Sequence, residues 1–242
     1  MKNNYIEKMD RFFYPLYCDG WDIKLFCEFV RKEIQPEYSV LDFGAGRGAA
    51  EWSDNRDYCK YIAGVDVDPI VLRNPYLNEA RVVDIKDEII PFSDNTFDIV
   101  YALNVIEHLP YPEKSFSEIW RVLKPGGKFL AKTPNKFHYV AVIASLTPYW
   151  FHKYFNKLRG RDEIDTFPTT YLCNKESSIR KFAEKVGFDI NRIDLIEGRP
   201  EYLRISALTY PLGILYERIM NSSNLFSKFR VVIQMEMQKR DR

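Results

Sequence analysis

Three aspartates, Asp42, Asp66 and Asp84, each close a short apolar run, and three glycines, Gly44, Gly46 and Gly48, follow the first of them. Glycine gives a turn its backbone freedom, and a turn leading from a strand into a helix offers amide N–H groups to a ligand. Carboxylates at the ends of neighbouring strands suit a ligand that carries an amine, a ribose diol and a ring amino group. Taken alone, the glycines also satisfy a dinucleotide-binding pattern, with Ala49 in its last place and Asp66 about twenty residues on as the ribose acid. Asp42 speaks against that reading. It stands inside the first strand, where a nicotinamide-binding turn has an apolar residue, and a carboxylate there needs a cationic or hydrogen-bonding partner. Arg47 is the one basic residue in the turn, so little there would hold a phosphate. For all three aspartates the alternative role is the capping of turns or helices.

His108 is the best-placed general base, because imidazole titrates near neutrality and Asn104-Val-Ile-Glu-His-Leu109 follows a strand. Its alternative role is a hydrogen-bonded helix cap. Glu107 beside it either orients the ring or points to solvent. His138 and His152 are weaker candidates for the same work.

Short apolar runs alternating with helix-like segments must position these groups, the pattern of a parallel sheet wrapped by helices. Strands are expected at 39–43, 61–66, 80–84, 97–103 and 128–133. Phe116, Ile119, Trp120 and Leu123 recur at helical spacing before Pro125-Gly-Gly127, which reads as a turn. A helix over 175–186 ends at Gly187, followed by strands at 188–196 and 229–237, with a helix holding Leu212, Leu215, Ile219 and Met220 between them. The stretch 134–172 is rich in aromatic residues and broken by Pro148, Gly160 and Pro168, which predicts an inserted cap. Its rings either line an acceptor pocket or merely cover the sheet edge, and Tyr149-Trp-Phe151 and the Leu212–Met220 face are open to a membrane surface or a second subunit.

The 242 residues are enough for one filled core, and a single domain is expected: a helical segment over 1–37, a core over 38–133, the cap over 134–172 and the remainder of the sheet over 173–242. Thirty-five lysines and arginines balance 34 acids, which argues against a nucleic-acid partner. Four scattered cysteines and three histidines predict neither a disulfide framework nor a metal site. No apolar run reaches the length of a membrane span or signal peptide, so the expectation is a soluble, cytoplasmic protein.

With these motifs in order, the chain resembles the class I S-adenosylmethionine-dependent methyltransferases of the small-molecule type 11 group. The resemblance rests on 40–48, Gly64-Val-Asp-Val-Asp68, Val83-Asp-Ile85, Pro91 to Val100, Asn104 to Leu109 and Arg121 to Leu130. It implies an α/β fold, a Rossmann-like doubly wound sheet of seven strands with the last antiparallel and a helical cap after the fifth. It implies S-adenosylmethionine as cofactor, with S-adenosylhomocysteine as product. Gly44, Ala45 and Gly46 would pack on the cofactor, with Asp42 facing its ammonium and Asp66, beside Val67, taking the ribose hydroxyls. Asp84 and the Ile85 amide would hold the adenine, and Asn104 would stand by the methionine portion. The implied reaction is methylation of a small molecule, more at oxygen than at nitrogen or carbon, on a glycan, polyketide, phenolic or lipid-linked acceptor. A nicotinamide-dependent oxidoreductase and a non-catalytic scaffold are the competing classes.

Overall fold

The computed structural model describes residues 4–16, 20–48, 51–84, 89–146 and 169–240. Ala49, Ile85, His152 and the 147–168 part of the expected cap lie outside them. Among the described residues the strands β1 (Ser39–Phe43), β2 (Tyr61–Asp66), β3 (Glu79–Val82), β4 (Phe97–Leu103), β5 (Leu123–Pro134), β6 (Phe188–Ile196) and β7 (Val232–Lys239) form one sheet. Its order is β3-β2-β1-β4-β5-β7-β6, the doubly wound arrangement with the last strand antiparallel. β1 pairs in parallel with both β2 and β4, so the crossover between the two halves of the sheet opens beside β1.

The helices are α1 (Asn4–Phe13), α2 (Trp21–Glu33), α3 (Pro112–Val122), α4 (Tyr139–Leu146), α5 (Glu176–Val186) and α6 (Tyr210–Ser222). The chain divides into two compact units, one from Met1–Asp22, Pro134–Pro168 and Leu195–Val232, the other from Ile23–Thr133, Thr169–Asp194 and Ile233–Arg242.

The second, sheet unit has an apolar layer on each face, and the strand period of two sorts residues between them. Val40, Ile62, Ile99, Tyr101 and Leu130 face Phe26, Phe29 and Val30 of α2. Their neighbours Leu41, Ala63, Val100, Phe129 and Ala131 join Phe116 and Ile119 of α3 and Ile179 and Ala183 of α5 on the other side. Asp42 has the parity of Val40, which turns it to the α2 face opposite Tyr101 in the β1–β4 register.

Three expected boundaries move. β7 runs Val232–Lys239 rather than 229–237, because Asn224–Phe229 closes a 3-10 turn before it. α3 ends at Val122 rather than at Pro125-Gly-Gly127: Leu123 is already extended (φ −71°, ψ 139°), and Lys124 after it is the residue that Pro125 disfavours in helical geometry. β5 therefore starts at Leu123, and the glycines fall in its irregular beginning, where the pairing steps from Phe97–Leu123 to Ile99–Lys128. β3 stops at Val82, so Asp84 stands two residues past the strand instead of ending it. Gly187 caps α5 as expected, with φ 102° and its N–H donating to the carbonyls of Ala183 and Glu184.

The first, helical unit holds α1, α4 and α6. Ile6 and Tyr14 pack on Tyr210 and Ile214. Asp10 sits beneath them, bonded by Arg204 and by the Tyr210 hydroxyl, with Arg199 Nη1 at 3.6 Å. Burial opposes its charge, but Arg204 and Tyr210 overcome that and hold the carboxyl below the usual range. Tyr14 and Asn221 donate to the two oxygens of buried Glu217, at 3.1 and 2.7 Å.

Candidate cofactor site at the carboxyl edge of the sheet

The turn after β1 is shaped by glycine geometry. Gly44 has φ 82° and Gly46 φ 50°, and a Cβ on Gly44 would stand 2.2 Å from Val105 Cγ2, whereas one on Gly46 would meet nothing within 4 Å. The first glycine is thus a packing requirement, and the second lies beside open space that a ligand can enter. The amides of Gly44 and Ala45 donate to the Val65 carbonyl at 2.8 and 3.1 Å, tying the turn to β2. Buried Asn74 closes it from below, its Nδ2 donating to the carbonyls of Ala45 and Gly46 at 3.1 and 3.3 Å.

Asp66 ends β2. Its two oxygens accept the amides of Gly46 and Asp68, both at 2.9 Å. The carboxylate therefore performs the turn-capping role and still faces the loop from the position a ribose acid occupies. Exposed Val67 follows it. The Val83 amide bonds the Asp66 carbonyl at 2.9 Å, which brings exposed Asp84 to the same edge.

Asp42 is an acid whose charge its surroundings oppose. The Tyr101 hydroxyl donates to its Oδ2 at 2.9 Å. Burial pushes its carboxyl up to about 7, against the pull of that hydrogen bond, and the Asp66 charge pushes the same way as burial. Asn104 adopts the left-handed region (φ 55°), which asparagine tolerates. It is held there by its amide on the Lys132 carbonyl at 2.9 Å and by Lys132 Nζ on its Oδ1 at 3.0 Å.

His108 closes a short 3-10 turn over Ile106–His108, and its amide donates to the Val105 carbonyl at 2.9 Å. Glu107 does not point to solvent. It is 4% exposed and accepts from Thr133 Oγ1 at 2.9 Å, while Asn174 Nδ2 donates to that same hydroxyl at 2.7 Å. Burial raises the Glu107 carboxyl above its ordinary range. Its carbonyl also accepts the Thr170 amide at 2.8 Å, so this acid anchors the His108 turn from inside the unit. His138 belongs to the helical unit and is 3% exposed. Burial takes it down to about 3 and its neighbour Glu197 up to about 8, so the pair, 3.7 Å apart, is a neutral contact.

The edge thus gathers Asp42, Gly44, Ala45, Gly46, Asp66, Val67, Asp84 and Asn104 in one unit, with Ile85 outside the described residues. Tyr101, Asn74, Lys132 and the Thr133–Asn174 pair complete it and carry no motif. A lysine in the apolar run Phe129-Leu-Ala-Lys-Thr133, and a tyrosine paired in register with Asp42, are the signals that could have marked two of them.

Sheet order and turn together define the class I methyltransferase fold. Residues 41–131 match the family model described as a methyltransferase domain. Among curated proteins, the sterol 4-C-methyltransferase of Caenorhabditis elegans is 33% identical over 133 residues, 48% of this chain and 40% of that one. The chain spans 40% or less of the length of the first curated relatives it matches. A methyltransferase candidate solved in complex with the Haloferax volcanii Trm112 methyltransferase activator superposes with a TM-score of 0.62 at 15% identity, covering 92% of each chain. The phosphoethanolamine N-methyltransferase 2 of Haemonchus contortus, solved with phosphomonomethylethanolamine and S-adenosylhomocysteine, gives 0.56 at 18% identity, over 92% of this chain and 53% of that one.

Proposed function

We propose that this chain is a cytoplasmic enzyme that transfers a methyl group from S-adenosylmethionine to a small molecule, with a hydroxyl as the acceptor group. The observation that carries the reading is Asp42, a carboxyl raised to about 7 beside the glycine turn and met by a neutral phenol. An ammonium at that place relieves the burial cost, and Asp66 and Asp84 along the same edge are acceptors for a ribose and an adenine. The donor set fits this cofactor better than a dinucleotide, whose phosphates would need more than Arg47.

When bound, the cofactor supplies an electrophilic methyl group on a sulfonium and departs as a neutral thioether. The protein's part is alignment and exclusion of water. Asp42 holds the cation, the turn from Gly44 to Gly48 fixes the backbone around it, and Asn104, locked by Lys132, borders the methionine portion. His108 takes the acceptor's hydroxyl proton as the oxygen–methyl bond forms. Glu107 positions that histidine by pinning its turn to Thr133.

Methylation at carbon or nitrogen is the second reading, favoured by the names of the sterol C-methyltransferase and phosphoethanolamine N-methyltransferase relatives. The two separate on His108→Ala. Hydroxyl methylation predicts a fall in turnover of about a hundredfold or more with unchanged affinity for S-adenosylhomocysteine. Full turnover of the variant removes the general base, and calorimetry showing tight NAD binding without S-adenosylhomocysteine binding removes the methyltransferase reading altogether.

A further inference from the structure

The exposed surface of the helical unit has two properties that the sheet unit lacks. Among its described residues the exposed charged side chains are Lys8, Arg11, Lys136, Arg218 and Lys228, every one a cation. Its acids, Glu7, Asp10, Asp22, Glu197, Glu201 and Glu217, are all buried or half-buried. Several are consumed internally: Asp10 by Arg204 and Tyr210, Glu201 by Arg199, and Glu217 by Tyr14 and Asn221. The cationic exterior therefore follows from the packing of the acids.

The second property is an apolar stripe on the same chain segment. α6 turns Tyr210, Ile214, Glu217 and Met220 inward. Its outer side carries Leu212, Leu215 and Ile219 at i, i+3 and i+7, 61%, 57% and 42% exposed. Leu208 just before the helix and Leu225 just after it are more than four-fifths exposed. Arg218, 59% exposed beside Glu217 Oε2 at 3.4 Å, and Lys228, with Nζ 4.9 Å from the Phe229 ring, stand along this segment. Isolated exposed leucines are ordinary, but a run of them at helical spacing marks a docking surface.

We infer that the α6 segment, Leu208 to Phe229, docks this protein on the surface of an anionic lipid bilayer. Thirteen residues of helix extend about 20 Å, too short for a hydrocarbon core of about 30 Å, so α6 lies in the interface instead of spanning it. Leucines in the acyl boundary gain the burial they lack in the free protein. Arg218 and Lys228 meet lipid phosphates, and no exposed acid among the described residues of the unit opposes them. A second copy of this chain would set like charges against each other across the stripe, which is why the bilayer is the favoured occupant. The inference stands independently of methyl transfer.

Vesicle co-sedimentation tests it, with phosphatidylcholine vesicles with and without phosphatidylglycerol. The protein should pellet with the anionic vesicles and be released by high salt. The variants Leu212→Ser/Leu215→Ser/Ile219→Ser and Arg218→Gln/Lys228→Gln should each bind about tenfold less, while circular dichroism shows the helices intact. Pelleting with neither vesicle, or equal pelleting of wild type and both variants, overturns the proposal. So does sedimentation velocity that finds a wild-type dimer converted to monomer by the leucine substitutions, because the stripe is then a self-association surface.

Discussion

Asp10, buried, and Asp42, half-buried, are two aspartates with opposite electrostatics. In the helical unit Asp10 is met by Arg204, Arg199 and the Tyr210 hydroxyl, and its carboxyl is held below the ordinary range. In the sheet unit Asp42 is met by the Tyr101 hydroxyl and a second carboxylate, Asp66, and it rises to about 7. An acid whose cations are supplied by the fold is a structural tie. One left with a phenol and a like charge has spare capacity for a cationic ligand. The difference separates a charge that the fold supports from one that it opposes.

The largest effect should come from breaking the structural member. Asp10→Ala strips Arg204 and Tyr210 of their acceptor and should destabilise the protein by about 3 kcal/mol or more. Hydrogen exchange should accelerate in α1 and α6, with affinity for S-adenosylhomocysteine retained; protection unchanged in both helices would refute the assignment of Asp10 as a tie. Gly44→Ala acts on the binding side. Its Cβ would collide with Val105 at a positive φ, and we expect about a hundredfold weaker binding by calorimetry, which is about 2.7 kcal/mol.

The pH dependence sharpens the comparison further. Because the Asp42 carboxyl is raised in the folded protein from 3.8 to about 7, its contribution to the stability of the ligand-free protein is present at low pH and is lost as pH rises through about 7. An ammonium needs the carboxylate, so affinity for S-adenosylhomocysteine should rise with pH to a plateau above about 7. 5′-Methylthioadenosine, which lacks the amino acid portion, should show no such rise. Tyr101→Phe removes a hydrogen bond to the charged form, moving the midpoint upward and weakening neutral-pH binding by up to about tenfold. An unmoved midpoint would place the titration elsewhere. The smallest effect belongs to Arg180→Ala, which breaks an exposed pair with Glu176 one helical turn away and should cost at most about 0.5 kcal/mol in thermal unfolding.

Most of the sheet is legible in the sequence alone. The strands at 39–43, 61–66 and 97–103 are readable to the residue as largely apolar runs, and 188–196 as an interrupted apolar–polar segment after the Gly187 cap. Asp42, Asp66, the glycines and Asn104 announced themselves as polar or small residues at strand ends. The start of β5 is not legible, because Pro125-Gly-Gly127 has turn composition, whereas pairing with β4 carries the strand back to Leu123. Glu107 was ambiguous because a carboxylate beside a histidine looks the same in sequence whether it faces solvent or Thr133.

Local spacing along the chain, by itself, determined the alternating architecture, the glycine turn and the order of the acids, because periodicity and φ preference are local properties. Tertiary structure decided which acid is tied and which is available. That depends on partners such as Arg204 for Asp10 and Tyr101 for Asp42, 194 and 59 residues distant along the chain, brought near by packing and strand register. Desolvation, which raises Asp42 and is overcome at Asp10 by Arg204 and Tyr210, exists only once the core has closed.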